Sequence, residues 1–275
     1  MTSRASTDLD LTHEGVEAAA RNAKGRRFWV WTARALIVVA FLGGWQAIGT
    51  RSPVERLIFS TPESVLTTLG HWTTDTTFWR DLRITLTEAV LGYLAGVGSA
   101  VVLAAVVFSS ATLERFLRPF VAVFNALPKV VLAPLFLLWF GVGISSKVYF
   151  TASVIFFIVF YGVYTGMKAI DISLVNNMRA LGASSADLTV HVHAPAILTW
   201  IVAGLRLSFT FAILATVLGE FLGGTEGLGV RISLATQQLQ NNIVVAGIVT
   251  IALVAVLVDR SLVRVERRFG RWKLF

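Results

Sequence analysis

The chain has 275 residues, of which 55% are hydrophobic and only 15% charged, and 24 Lys and Arg against 16 Asp and Glu give a formal net charge of +8. Soluble domains carry about 25% charged residues, so this composition, with a mean hydropathy of +0.72, excludes an ordinary water-soluble globule. The absence of cysteine excludes disulfides, thiolate metal sites and thiol catalysis, and the basic residues flank apolar runs in the manner that orients membrane proteins instead of forming a nucleic-acid surface.

The first 27 residues are polar, with acids at Asp8, Asp10, Glu14 and Glu17, which does not fit a cleavable signal. Arg21, Lys24, Arg26 and Arg27 then precede an apolar run from Phe28 to Ile48, long enough for a first span acting as a signal anchor. A polar stretch, 49–85, follows. Within it Ser60 or Thr61 can cap a helix that opens at Pro62 and runs through Val65, Leu66 and Leu69, a short amphipathic element suited to a membrane surface. Further spans are expected at Leu86–Phe108, Phe120–Phe140, Val148–Met167, Ala196–Leu222 and Ile243–Val258. Small residues at Gly92, Gly96, Gly98 and Ser99 suit close helix packing in the second. No internal repeat or low-complexity segment is visible.

Six spans with both ends inside best satisfy the basic-residue asymmetry. The inside segments would then hold Arg115, Arg118, Lys168, Arg179 and a tail with Arg260, Arg264, Arg267, Arg268, Arg271 and Lys273. The outside ones would hold only Arg51, Arg56, Arg80, Arg83, Lys147 and Arg231. The expected organisation is an N-terminal tail at 1–27, a first span with an interfacial segment at 28–77, a membrane core at 78–263 and a basic tail at 264–275.

The longest inside loop, 168–195, has more content than a connector needs. Ile170, Leu174, Met178 and Leu181 recur at helical spacing and make one apolar stripe. Gly182 follows where a left-handed C-terminal cap wants glycine. Ser184 and Asp187 stand in a near capping-box relation, with Leu188 in the same turn, and Pro195 sits in the first turn of the next span. The pattern is helix, glycine turn, helix, span. It is either a linker folded onto its own spans or a stiff docking element for a cytoplasmic partner.

This loop resembles the EAA loop of ABC importer permeases, whose pattern is Glu-Ala-Ala, three residues, Gly, nine residues, Ile, one residue, Leu-Pro. Gly182, Val192 and Pro195 fall on the Gly, Ile and Pro positions without a gap, and Ala194 stands at the Leu position. Asn176, Asn177 and Met178 replace Glu-Ala-Ala, with Arg179, Ala180 and Leu181 between them and Gly182, and Ala183 following it. Segments elsewhere are similar to the nitrate/sulfonate/taurine branch of that family: Leu127–Leu135, Trp139–Gly143, Ser145–Lys147, Arg179–Ser184, Ala203–Leu207, Gly219–Gly223 and Gly227–Gly229. The likeness runs from about Pro62 to Arg268.

The resemblance implies an all-α membrane protein of the type I importer permease (MetI-like) fold, with six transmembrane helices and a cytoplasmic coupling helix between spans 4 and 5. It implies a homodimeric pathway, two cytoplasmic ATPase subunits docked on the loops and an extracytoplasmic binding protein that delivers the solute. No cofactor is expected on this chain, ATP-Mg being bound by the partner ATPase. Aliphatic sulfonate, taurine or nitrate is the solute class implied.

The spans also carry polar residues, which are costly there and usually mark a pathway or a pairing. Lys129 lies between Pro128 and Pro134 in a span that the prolines should kink; it lines a pathway or snorkels to an interface. Arg206 pairs across spans or meets an anion. Glu220, fourteen residues on, is near the outer end, open to solvation, and Asn125 is a further pathway candidate that packing hydrogen bonds explain equally well. His191 and His193 alone are too few for a metal. The sequence lacks a phosphate-binding loop, so ATP hydrolysis is not expected here. It also lacks an intramembrane nucleophile with a histidine and the repeated halves of a secondary transporter.

Overall fold

A computed structural model describes residues 29–108, 110–168 and 170–269. The expected N-terminal tail with Arg21, Lys24, Arg26 and Arg27, and the end of the basic tail with Arg271 and Lys273, lie outside the described residues. Every described element is helical: α1 (Trp29–Gly49), α2 (Pro53–Phe59), α3 (Pro62–Trp72), α4 (Thr76–Phe108), α5 (Ala111–Ala126), a 3-10 turn (Lys129–Leu132), α6 (Ala133–Phe140), α7 (Ile144–Lys168), α8 (Ile172–Ala180), α9 (Ser185–Leu188), a π turn (Thr189–His193), α10 (Ala194–Gly223), α11 (Leu228–Gln237) and α12 (Asn241–Phe269).

The chain divides into two compact units, Met1–Leu66 and Thr67–Phe275. In the first, Ser52 caps α2 by accepting from the Glu55 N–H at 3.1 Å, and the Trp45 indole donates to the Phe59 carbonyl at 3.0 Å. The expected cap of α3 is present. Thr61 Oγ1 accepts from the Ser64 N–H at 3.2 Å, and Pro62 opens the helix where its missing donor costs nothing.

In the second unit α7 is central. Its Ile155, Val159, Phe160 and Val163 pack with Ala100, Ala104 and Val107 of α4 and Ala212 of α10. Phe150 and Val154, further toward the start of α7, pack with Ala133 of α6 and Ala215 of α10. On a neighbouring face of α10, Phe209 and Ile213 meet Ala89 of α4, with α12 contributing Ile251 and Val254. A Cβ on Gly92 would lie 2.6 Å from Thr151 Cβ, and one on Gly96 would lie 2.6 Å from the Ala152 carbonyl oxygen. These two glycines let α4 approach α7 closely. Gly98, expected to do the same, faces open space.

Four helices are long and apolar enough to cross a membrane by themselves, α1, α4, α7 and α12; two further segments qualify only as bent pairs. The third expected span is therefore not one helix. Segments Thr112–Phe124 and Lys129–Phe140 meet at 87°. Pro128 has no N–H to continue the ladder of α5, and Pro134 stands in the first turn of α6, where a new helix starts easily. The second pair, Ser208–Gly223 and Leu228–Gln237, bends by 46° across a turn in which Gly227 has φ +112°.

Candidate functional site

Two arrangements stand out, at opposite ends of α10. The first is the helical hairpin α8–α9. Asp171 caps α8 by accepting from the Ser173 N–H at 2.8 Å. At the other end the Ala183 N–H donates to Met178 O, and the Gly182 N–H to Arg179 O, each at 3.0 Å. This crossed pair is the Schellman closure, and Gly182 at φ +88° supplies the left-handed residue it requires. The next turn opens with a reciprocal capping box. The Ser184 N–H donates to Asp187 Oδ2 at 2.9 Å, and the Asp187 N–H donates back to Ser184 Oγ at 3.2 Å. The Ser184 hydroxyl and N–H together hold the Asp187 carboxyl below its usual value.

The expected apolar stripe is shorter than its spacing suggested. Asp171 as N-cap leaves Ile170 outside α8, and Leu181 is the C-cap, so only Leu174 and Met178 share the helix proper. The surface is nevertheless apolar: Leu181 is 88% exposed and Ile172 73%. Asn176, Asn177, Arg179 and Ala180 are exposed on α8. After α9 the chain does not leave helical geometry. Its π turn runs into α10 at Ala194, with Pro195 in the first turn, and Val192 and Leu188 are buried. The second arm of the hairpin is thus continuous with a 30-residue helix, about 45 Å long at 1.5 Å per residue. At its base, Lys168 of α7 pairs with Glu114 of α5 at 2.9 Å.

The second arrangement surrounds Glu220, near the other end of α10. Expected to be open to solvation, it is 1% exposed. Its carboxylate accepts from Thr85 Oγ1 of α4 and from the Gly229 N–H of α11, both at 2.7 Å. Thr85 in turn accepts from the Leu228 N–H at 2.9 Å. The first free N–H groups of α11 are therefore satisfied by side chains of α4 and α10, and a carboxylate sits where the helix dipole favours it. Gly227 has no side chain because the Glu220 carboxylate occupies the space a Cβ would need.

Lys147 was expected in an outside loop, but it is 2% exposed in the first turn of α7. Its ammonium donates to the carbonyls of Val142 and Gly143 in the α6–α7 turn, and Glu88 and Glu220 lie within its electrostatic reach. Glu88, one turn beyond Thr85, is 1% exposed, and its Oε2 has no hydrogen-bond partner. On the other side of Thr85, toward the start of α4, Arg231 of α11 pairs with Asp81 at 2.9 Å and Asp75 at 3.1 Å. Asp81, Thr85 and Glu88 make a polar stripe on the first half of α4. Thr85, Glu88 and Lys147 were not singled out from the sequence. The available signal was an acid three residues after a threonine at the head of an apolar run; the helix itself begins at Thr76, ten residues before the expected span start at Leu86.

The other pathway candidates are dispersed. Pro128, Lys129 and Pro134 lie at the 87° break, where Lys129 is half-buried with its ammonium 5.9 Å from the centre of the Phe157 ring. The side chains of Asn125 and Arg206 lie outside the described residues. Among the described residues no three of His, Asp and Glu gather in a metal-binding group.

Residues 92–271 match the family model described as binding-protein-dependent transport system inner membrane component. A Bacillus subtilis (strain 168) protein named as a permease for aliphatic sulfonates is 30% identical over 93% of this chain and 92% of its own. The taurine transport system permease of Escherichia coli (strain K12) is 28% identical over 83% and 85%. Among solved structures, an amino acid ABC transporter chain superposes with a TM-score of 0.59 at 19% identity, covering 75% of this chain and 97% of that one, which is a likeness of fold. With a family model matched over well over half its length, the chain belongs to the binding-protein-dependent transport system inner membrane components: it is an ABC transporter permease, not an enzyme.

Proposed function

We propose that this chain forms half of the membrane pathway of an ATP-driven importer, crosses the membrane six times with both termini in the cytoplasm, and takes its driving force through the α8–α9 hairpin. Each bent helix pair then counts as one span, and 168–195 is the coupling loop between spans 4 and 5, the part played by Asn176–Ser184, Asp187, Leu188 and Pro195. Two copies of the chain, two ATPase subunits carrying ATP-Mg and an extracytoplasmic binding protein make up the complex, and no cofactor binds this chain. The tails 1–27 and 264–275 lie in the cytoplasm.

One observation carries the reading. The hairpin exposes Ile172, Leu174 and Leu181 on a closed, capped scaffold that continues into α10. A partner can bias two membrane states only through contacts that differ between them, and a capped helix pair joined to a span transmits such a difference where a loose loop would absorb it. Asn176–Met178 in place of the family's Glu-Ala-Ala changes the chemistry of the contact and leaves the scaffold in place.

The solute we propose is a small organic or inorganic oxyanion, an aliphatic sulfonate or taurine first and nitrate second, on the likeness to the sulfonate and taurine permeases. Asn125, Pro128, Lys129, Pro134, Arg206 and Glu220 remain the pathway candidates, Lys129 being the cation nearest the proline break. Deleting the gene and measuring uptake of labelled taurine, an alkanesulfonate and nitrate tests this. Loss of one of these uptakes, restored by the intact gene, is expected; unchanged uptake of all three would end the anion assignment.

A further inference from the structure

The exposed face of α4 is apolar over most of its length and ends in arginine. Val90, Leu91, Leu94, Val102 and Val106 are all exposed. A hydrocarbon layer about 30 Å thick takes about 20 residues of straight helix. Counted back from Phe108, where α4 ends, that layer stops near Glu88. The turns bearing Arg83 and Arg80 then stand in the headgroup layer, whichever leaflet it is.

At this boundary a shallow, open depression lies along one face of α4, lined by Trp79, Leu82, Arg83, Leu86, Thr87 and Val90. A second depression adjoins it at Trp79, Arg83 and Thr87 and takes in Arg80 and Ile144 of α7. The Trp79 wall is fixed in place: its indole donates to the Thr73 carbonyl at 3.1 Å, and its ring meets Phe78 edge to face at 5.4 Å. Arg80 has a distant acid, Glu226 at 3.7 Å. Arg83 is exposed, and its guanidinium pairs with no carboxylate among the described residues. A cation at the edge of hydrocarbon needs a counter-charge. A guanidinium fork fits a phosphate in particular, and the apolar depression directly below fits an acyl chain.

We propose that this depression binds one anionic phospholipid, its phosphate between Arg83 and Arg80, its glycerol edge against Trp79 and an acyl chain along Leu86, Val90 and Leu94. Free phosphate would leave the depression empty, and a zwitterionic lipid would bring its own cation to two arginines.

The test is native mass spectrometry of the purified full chain titrated with phosphatidylglycerol or with phosphatidylcholine of the same acyl chains. Phosphatidylglycerol should be retained preferentially, and Arg83→Gln should lower its apparent affinity about fivefold without changing that of phosphatidylcholine. Val90→Trp, which fills the depression and leaves both arginines, should weaken both lipids. Equal retention of the two lipids by the unaltered chain, or an Arg83→Gln chain that keeps phosphatidylglycerol, would overturn the proposal. Because the chain has no cysteine, Val90→Cys gives a clean second readout in membranes. Labelling by a lipid-soluble maleimide supports a lipid-filled depression, whereas disulfide cross-linking between copies would show a second chain there instead.

Discussion

Thr85 on α4 donates its hydroxyl hydrogen to Glu220 on α10 at 2.7 Å, across 135 residues of sequence, while its oxygen accepts the Leu228 N–H of α11. One hydroxyl thus joins three helices and closes the 46° corner between α10 and α11. Replacing it by an isosteric methyl leaves a carboxylate oxygen and a helix-start N–H unpaired together in a buried place. Thr85→Val should cost about 1–3 kcal/mol, read as a fall in thermal unfolding temperature in detergent, and Thr85→Ser should recover most of it. Equal stability of the valine form would mean that water or another donor replaces the hydroxyl.

Lys147 shares its buried surroundings with two acids, Glu88 and Glu220. Removing this cation leaves two buried acids without its counter-charge, and breaking a buried ionic cluster on one side costs about 3–5 kcal/mol. Lys147→Met should therefore unfold early or fail to accumulate. The triple change Glu88→Gln, Lys147→Met, Glu220→Gln should be more stable than Lys147→Met alone, because its neutral side chains face each other. A triple variant worse than the single one would show that the cluster acts through packing.

The close approach of α4 and α7 rests on Gly92, whose Cβ would meet Thr151 Cβ and Cγ2 at 2.6 and 2.7 Å. Both atoms belong to a side chain fixed by the Thr151–Thr216 hydrogen bond of 2.9 Å. Gly92→Ala should cost about 1–3 kcal/mol through overpacking, and Gly98→Ala, in open space, should be neutral or slightly stabilising. Thermal unfolding of the pair in the same detergent distinguishes them.

At Gly182 the issue is conformation, since nothing lies within 4 Å of a Cβ there. Gly182→Pro cannot adopt the positive φ and should abolish uptake while the chain still inserts into the membrane. Gly182→Asn, which tolerates the left-handed region better, should keep measurable uptake. Uptake surviving the proline would remove the docking role from the hairpin.

The capping box predicts a pH response of definite sign. The Asp187 carboxyl is held below its usual value of 3.8 by the Ser184 hydroxyl first and the Ser184 N–H second. Its contribution is fully present above the unfolded value and is lost as pH falls through the lower folded one. Hydrogen-exchange protection at 185–188 should be unchanged between pH 6 and 8 and should fall below about pH 4. A fall between pH 6 and 8 would show that the capping box does not set the protection of this turn.

The elements governed by local rules were legible in the sequence: Pro62 behind Thr61, Gly182 behind α8, Ser184 with Asp187, and most of the apolar runs. Each depends on residues a few positions apart. What escaped was set by distant partners. Glu220 looked solvated because nothing near it in sequence shows Thr85 arriving from α4. Lys147 looked like loop charge because its sequence neighbours do not show that the start of α7 packs against Glu88 of α4 and Glu220 of α10. The prolines signalled a kink in the third span, but its sharpness, 87°, depends on how α6 packs on α7 through Ala133 and Phe150.

The measurement that tests the central claim most directly is affinity purification of the tagged chain from detergent-solubilised membranes, with mass spectrometry of what accompanies it, for the unaltered chain and for Leu181→Asp. A P-loop ATPase recovered near one to one with the unaltered chain, and lost when the 88% exposed Leu181 becomes charged, is the predicted result. A stable chain recovered without any ATPase would contradict the account and leave α8–α9 as a linker folded on its own spans.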